Sequence, residues 1–173
     1  IRDPKTGTFY LAKLITGAQG TLALVTNAKL SLVRPQKHRS MLIIFLSDLE
    51  VLPQVVKKVL PFNPESFESY DDHTLKLAVR FLPQMLSQMG LFRAARLGLS
   101  FLPEASMALT GGVPKLVLMA EFSEDTEGVA LRRANEARAA LASLALPTRI
   151  ARNEQAAEKY WIVRRESFAL LRK

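Results

Sequence analysis

The pattern of apolar and polar positions predicts two β-strands in the first part of the chain, over residues 9–16 and 21–33. In the second of these, apolar and polar positions alternate with a period of two. A polar stretch with a proline, 34–38, follows them and predicts a domain boundary, because such a break ends a regular element. Residues 39–46 then form a continuous apolar run, which is typical of a strand covered on both faces.

From residue 39 onward, strand-like and helix-like patterns alternate. The predicted elements are a strand over 39–46, a helix over 49–60, a short strand over 66–70, a helix from Asp71 or Asp72 to Met89, an insertion over 91–112, a strand over 115–122, a helix from 123 to about 144, a strand over 148–151 and a helix over 155–173. The order β-α-β-α-β-α-β-α predicts an α+β fold. We expect a ferredoxin-like domain with an antiparallel or mixed sheet and helices on one face.

Two glycines between the first predicted strands mark the most informative loop. Gly17 and Gly20 lie three residues apart between apolar segments. Glycine adopts positive φ without strain and leaves no Cβ in the way of a bound group. The spacing therefore predicts a tight loop over 17–21 whose backbone amides can approach a flat or anionic group. A plain turn between strands is the alternative.

Three segments, in order along the chain, resemble motifs of one family. Residues 14–30 resemble the G-S-E-G-T-L-G-I-I-T-E-A-x-L-x-L signature of the FAD-linked oxidases, the vanillyl-alcohol oxidase or p-cresol methylhydroxylase superfamily. Residues 66–71, Ser-Phe-Glu-Ser-Tyr-Asp, resemble the family's A-x-E-x-x-D junction, and residues 160–166, Tyr-Trp-Ile-Val-Arg-Arg-Glu, resemble its W-x-x-R element. Within the family, the chain is most similar to the D-2-hydroxyacid dehydrogenases, which act on D-lactate, glycolate or D-2-hydroxyglutarate.

The resemblance implies a flavoenzyme of two domains. Residues 1–36 are then the last strands of an FAD-binding domain, and residues 37–173 are much of a substrate-binding cap domain. The implied reaction is oxidation of a D-2-hydroxy acid by hydride transfer to the flavin, with an electron acceptor whose identity stays open. The residues that line FAD in this interpretation are Gly17, Ala18, Gln19, Gly20, Thr21, Leu22, Leu24, Val25 and Thr26.

Arg164 is the residue that the resemblance assigns to the substrate. In the 2-hydroxyacid branch, the arginine of the W-x-x-R element holds the substrate carboxylate, and a guanidinium suits this role because it pairs bidentately with a carboxylate. Arg165 lies about 100° further around a helix. The alternative for Arg164 is an ordinary surface arginine. Trp161 is interpreted as an apolar anchor in the core or at an interface.

The chain also departs from the family pattern. Gln19, Ala23 and Asn27 stand where the family usually has glutamate, glycine and glutamate, which puts a carboxylate-specific role of the loop in doubt. The family's P-G-G-G-T-S/N loop, which binds the FAD pyrophosphate, and its H-x-G-D-G-N-x-H run do not occur in these residues. We therefore expect an internal fragment that is inactive by itself, and the catalytic base stays unassigned.

Composition and charge change this interpretation little. The 173 residues are 49% hydrophobic and 23% charged, as in globular proteins, and no run reaches the roughly 18 apolar residues that a membrane helix needs. The absence of cysteine excludes disulfides and favours a cytoplasmic protein, with peripheral membrane contact and a homodimer left open. The net charge of +8 comes from dispersed basic residues without interleaved aromatic residues, so we expect no nucleic-acid partner.

The histidines do not form a metal motif. His38 and His73 lack a second ligand at a suitable spacing, so we expect no metal. Asp71, Asp72 and His73 are interpreted as a helix start rather than as a proton relay. Two other functions stay open. One is a ferredoxin-like regulatory domain that binds a small molecule without catalysis, and the other is a basic nucleic-acid-binding module.

Overall fold

The structure is a computed structural model that describes residues 1–77, 80, 95, 99 and 112–170, with the backbone alone for 166–170. The chain divides into two compact units, Ile1–Pro35 and Gln36–Lys173. All four strands of the sheet belong to the second unit.

The first unit contains a short helix where strands are predicted. Helix α1 spans Leu11–Ile15, inside the segment 9–16. Residues 21–33 form neither helix nor strand, and Leu24 within them is 91% exposed. Both strand predictions are therefore wrong. The physical reason is that an alternating pattern forms a strand only where a neighbour pairs with its N–H and C=O groups, and this unit contains one isolated bridge instead of a sheet.

A four-stranded antiparallel sheet forms the centre of the second unit. Its strands are β1 (His38–Leu46), β2 (Ser66–Asp71), β3 (Leu116–Glu124) and β4 (Thr148–Ala151). They lie in the order β2-β3-β1-β4, and each neighbouring pair is antiparallel. The two strands with the longest apolar runs, β1 and β3, are therefore central, where their side chains are covered from both sides.

Helices follow the strands of this sheet. The helices are α2 (Leu52–Val59), α3 (Glu127–Ala140) and α4 (Glu154–Leu170), with 3-10 turns at Leu60–Phe62 and Ala142–Leu144 and a helical segment over 72–77. The predicted α+β class is confirmed at the level of a four-stranded antiparallel sheet with helices. The predicted continuation of the 72–77 helix to Met89 and the predicted insertion over 91–112 fall almost entirely outside the described residues.

One face of the sheet is covered by α2 and α3. Small residues of α3, such as Ala134 and Ala137, leave room for the larger side chains of the strands. Val55 and Val59 of α2 complete this cover. The buried residues of this apolar cluster are Leu42, Ile44, Leu46, Val55, Val59, Leu118, Ala120, Phe122, Ala134, Ala137 and Leu141.

The opposite face is covered by α4. Its buried residues are Met41, Ile43, Phe45, Tyr70, Val117, Met119, Ala151, Ala157, Tyr160 and Val163. The prediction that helices lie on one face of the sheet is therefore wrong. The reason lies in β1, where every residue from Met41 to Leu46 is buried, so that both faces of the strand need a cover. The continuous apolar pattern of 39–46 had indicated this locally.

Candidate functional site

The predicted FAD loop is a tight turn in the first unit. The N–H of Thr21 donates to the carbonyl oxygen of Ala18 over 2.9 Å, and the Thr21 hydroxyl donates to the same oxygen over 2.6 Å. Between them, Gln19 and Gly20 have φ values of 51° and 79°, and Gly17 has a φ of 84°. Positive φ at both central residues is the type I′ arrangement. The prediction that both glycines adopt positive φ is confirmed.

The turn leaves its backbone open to another group. A Cβ added at Gly17 or Gly20 would meet no atom within 4 Å. In the first unit as the structure describes it, the amides of Gly17, Gln19 and Gly20 have no hydrogen-bond partner. Open amides beside positions without a Cβ leave room for a flat or anionic group to approach the backbone.

The apolar residues that follow the turn are exposed as well. Leu22 is 60% exposed, Leu24 is 91% exposed and Val25 is 59% exposed. Thr26 is exposed too, whereas Ala18 within the turn is half-buried. A run of exposed apolar side chains is a surface suited to contact with another group or chain. This stretch therefore offers both polar backbone and apolar side chains to a ligand.

Arg164 lies on α4, where neighbouring side chains hold it in place. Its Nε forms an ion pair with Oε2 of Glu68 on β2, and its Cζ lies 5.8 Å from the centre of the Trp161 ring. A carboxylate at one end and an aromatic face beside the plane restrict the rotamers of the guanidinium. Arg164 is thus an ordered cation and differs from a freely solvated surface arginine.

This ion pair joins two of the three segments that carry the family resemblance. Glu68 belongs to the 66–71 segment, and Arg164 belongs to the 160–166 segment. In the sheet, Glu68 lies opposite Met119, which is part of the cluster under α4. Because paired residues of neighbouring strands share a face, Glu68 points toward α4. The fold therefore brings the two motif-like segments into contact.

A cavity of about 200 Å³ lies between the sheet and α4. The residues that line it are Arg39, Ser40, Met41, Glu121, Glu154, Ala157, Glu158, Trp161 and Arg165. The five α4 members of this set recur at spacings of three and four residues, so they share one face of the helix. Charged residues and the buried Met41 and Ala157 therefore line the same cavity.

Glu121 is the buried acid of this cavity. Its side chain is 7% exposed, and its Oε1 lies 3.2 Å from Nη1 of Arg39. Burial raises the pKa of Glu121 above its ordinary value of 4.5, against the opposing effect of Arg39. Glu65 and Glu154 also raise this pKa, and a hydrogen bond with Trp161 lowers it. The effect of burial on the pKa of Glu121 is thus larger than the opposing effect of the ion pair with Arg39. Glu121 therefore takes up a proton more readily than an exposed glutamate.

The segment of Asp71, Asp72 and His73 begins a helix, as predicted. The N–H of Thr74 donates to Oδ1 of Asp71 over 2.8 Å, and hydrogen bonding by Thr74 lowers the pKa of Asp71. Nζ of Lys76 lies 2.6 Å from Oδ2 of Asp72, and this hydrogen bond lowers the pKa of Asp72. The predicted cap is confirmed. Among the residues that the structure describes, no group of three histidine, aspartate or glutamate side chains is placed to hold a metal ion.

Three charged residues of the cavity, Arg39, Glu121 and Arg165, have no role in the functions that the sequence pattern predicts. One signal was available, since Glu121 interrupts an apolar strand, and a charged residue is rarely buried without a partner. The sequence pattern does not identify Arg39 as the partner. Glu121 lies opposite Met41 in the sheet, and only the register of β1 against β3 places Arg39 close to it.

No model of a protein family matches this chain, and no curated protein matches it. Within the described ranges, no helix has both the length and the apolar character that crossing a membrane requires.

Proposed function

We propose that this chain is part of an FAD-dependent oxidoreductase that oxidises a D-2-hydroxy acid such as lactate, glycolate or 2-hydroxyglutarate. The observation that carries the proposal is the contact of Arg164 with both Glu68 and Trp161. Two segments that resemble motifs of one family meet at this contact, although they are far apart in the sequence.

The topology of the second unit supports a ferredoxin-like cap domain over residues 37–173. The strand order β2-β3-β1-β4 and the helices α2 and α3 on one face correspond to two interlocked β-α-β units. In the proposal, α4 is an addition that covers the other face. The exposed apolar stretch after the turn supports the assignment of residues 1–36 to the edge of an FAD-binding domain.

The first unit contributes backbone and apolar contacts to the cofactor in this proposal. When bound, FAD accepts the two electrons that leave the α-carbon of the substrate. The amides of Gly17, Gln19 and Gly20 would hold polar atoms of the cofactor by hydrogen bonds, and Leu24 with its neighbours would supply apolar contact. The hydroxyl of Thr21 already donates to Ala18, so its role is to hold the turn.

Arg164 orients the substrate in this proposal. A guanidinium carries five N–H donors in a plane, and Glu68 engages the Nε end of this plane. Trp161 lies beside the guanidinium and limits its rotation. An arginine that is ordered before the ligand arrives loses less side-chain entropy on binding a carboxylate. Glu68 and Trp161 are accordingly positioning residues, whereas Arg164 contacts the substrate.

The direct test uses the polypeptide as it is expressed from its own gene. We expect the purified protein to have the visible absorption of an oxidised flavin, and we expect D-lactate, glycolate or D-2-hydroxyglutarate to bleach it without oxygen, whereas L-lactate does not. Arg164→Lys keeps the charge but removes the bidentate fork, so we expect KM for the preferred acid to rise by about tenfold or more.

The matched control for this substitution is Arg132→Lys on the exposed side of α3. Arg132 pairs with Glu136 over 3.8 Å at the surface, and we expect this variant to keep the KM of the parent. A purified protein with neither bound flavin nor bleaching by any of these acids would refute the proposal. An unchanged KM in Arg164→Lys would refute the role of Arg164 alone.

A second candidate function has one observation in its favour. The cavity under α4 is lined by residues of the second unit alone, and this favours a domain that binds a small molecule without catalysis. The visible absorption of a bound flavin distinguishes the two functions, because a domain that only binds a small molecule needs no flavin.

A further inference from the structure

Glu121 is a buried acid under α4 to which the proposed reaction gives no role. Its side chain is 7% exposed, and a hydrogen bond joins it to the side chain of Trp161 on α4. The indole N–H is the only donor of a tryptophan side chain, so the Glu121 carboxylate accepts this bond. A buried carboxylate on a strand that accepts an N–H from a packed helix fixes the position of the donor.

Trp161 connects Glu121 to Arg164. The two residues of α4 are three apart, so they lie on the same side of the helix, and Cζ of Arg164 lies 5.8 Å from the centre of the indole ring. The indole is thus held by a strand residue through its N–H, and its ring lies beside the guanidinium. A rotation of the indole would therefore remove the ring that limits the motion of the guanidinium.

The register of the sheet places the two acids of this arrangement close together. Glu68 lies opposite Met119, which is two residues before Glu121 on β3, so Glu68 and Glu121 are diagonal neighbours on adjacent strands. Diagonal neighbours are about 7–8 Å apart and share a face of the sheet. One acid pairs with Arg164, and the other accepts from Trp161 one turn earlier on α4. Two carboxylates on strands thereby hold two consecutive contacts of the helix.

We propose that Glu121 is a positioning residue for substrate binding, which acts on Arg164 through the indole of Trp161. The inference rests on the proposed function, in which Arg164 binds the carboxylate of the substrate. Glu121 holds the indole N–H, and the indole ring holds the guanidinium, so the guanidinium is ordered before the carboxylate arrives. Glu121 needs no contact with the substrate in this role.

The ion pair of Glu121 with Arg39, over 3.2 Å, offers a different explanation for any effect of Glu121. Two substitutions separate the explanations. Glu121→Gln keeps a carbonyl oxygen that accepts the indole N–H but loses the charge that pairs with Arg39, whereas Glu121→Leu loses both. A role through Trp161 therefore requires that glutamine replaces glutamate and that leucine does not.

The probe for the carboxylate site is oxalate, which has no hydrogen on carbon and therefore cannot be oxidised by hydride transfer. Its Kd is measured by titration calorimetry on the purified protein with its bound flavin. We expect Glu121→Leu to raise Kd about threefold or more and Glu121→Gln to keep it close to that of the parent. Val59→Ala, in the apolar cluster on the opposite face, controls for lost stability and should lower Tm without changing Kd.

Trp161→Phe tests the connection itself, because phenylalanine keeps an aromatic ring but has no N–H. In this background we expect Glu121→Leu to add little to Kd, so that the two substitutions are not additive. The emission of Trp161, the one tryptophan of the chain, reports on the hydrogen bond without any ligand. We expect this emission to shift more in Glu121→Leu than in Glu121→Gln.

Three results would overturn the inference: an unchanged Kd in Glu121→Leu, an equal rise of Kd in Glu121→Leu and Glu121→Gln, and additive effects of Glu121→Leu and Trp161→Phe. The proposed function is tested in the same experiment by flavin bleaching in the parent and by Arg164→Lys, which should raise Kd by about tenfold or more. If both hold and Glu121→Leu has no effect, the role of Glu121 alone is refuted. If neither holds, the proposed function is refuted and the inference with it.

Discussion

The two faces of the central sheet use the same strands and differ in their chemistry. The face under α2 and α3 is closed by leucine, isoleucine, valine, alanine and phenylalanine. The face under α4 has methionine and tyrosine in its cluster, and it also carries Glu68, Glu121 and the cavity. Because neighbouring residues of a strand point to opposite faces, one strand contributes both to an apolar core and to a face that carries charged groups. The two kinds of environment are thereby only a residue or two apart along the strand.

The largest expected effect compares two phenylalanines on opposite faces. Phe122 is fully buried under α2 and α3, and Phe45 is 4% exposed under α4. We expect Phe122→Ala to lower the free energy of unfolding by about 3–5 kcal/mol, because a tightly packed site collapses little around the lost ring. Phe45→Ala should lower it less, by about 3 kcal/mol, because Phe45 keeps slight exposure to solvent and the loss at a site that can collapse lies at the lower end of this range.

Urea unfolding of the two alanine variants and the parent, followed by circular dichroism, checks this difference. Equal losses, or a larger loss for Phe45→Ala, would contradict the contrast between a closed face and a relaxed one.

The next effect concerns the contact between Glu68 and Arg164 on the α4 face. Both side chains are about a third exposed, at 28% and 35%, so the pair is weaker than a fully buried one. We expect Glu68→Gln and Arg164→Gln each to lower the free energy of unfolding by about 1–2 kcal/mol. The double variant should lose about 1 kcal/mol less than the sum, and this coupling is measured by a double-mutant cycle. Additive losses would mean that the contact contributes nothing to stability.

The smallest effect is a pH dependence from Glu121. Its pKa in the folded state is raised by burial, so the folded protein holds this proton more tightly than the unfolded chain does. The stabilisation is therefore fully present below the ordinary value of 4.5 and is lost as the pH rises through the folded-state pKa. Arg39 and the hydrogen bond of Trp161 reduce the effect, whereas Glu65 and Glu154 increase it.

Glu121→Gln removes this titration and isolates it from other groups. We expect the parent to lose stability relative to Glu121→Gln between acidic and neutral pH, as measured by thermal unfolding of both proteins across this range. Glu136→Gln, at an exposed position of α3, is the matched control. The thermal stability of this variant should follow that of the parent at every pH. A constant difference between the parent and Glu121→Gln would show that Glu121 keeps an ordinary pKa.

Local patterns predicted the second unit well because its elements have strong local causes. The continuous apolar run of 39–46 specified β1 and its burial on both faces. Asp71 specified a helix start through its hydrogen bond with Thr74, whose partner is close in sequence. The same approach gave the wrong result for residues 21–33, where the period of two has no partner strand in its unit to convert it into a sheet.

The polar site shows where prediction from sequence ends. The resemblance pointed to Arg164, and the structure adds Glu68 and Trp161 as the groups that hold it. Arg39, Glu121 and Arg165 went unnoticed, because their significance arises from strand register and from the packing of α4 on the sheet.

The amino-acid sequence by itself determined the α+β class, the order of elements in the second unit and the positive φ of Gly17 and Gly20. Each of these depends on residues that are near one another in the chain. Only the tertiary structure decided the strand order, the cover of α4 over the second face and the meeting of Glu121 with Arg39. The physical reason is that a contact between distant segments is set by packing and register, and these have no signature in any single segment.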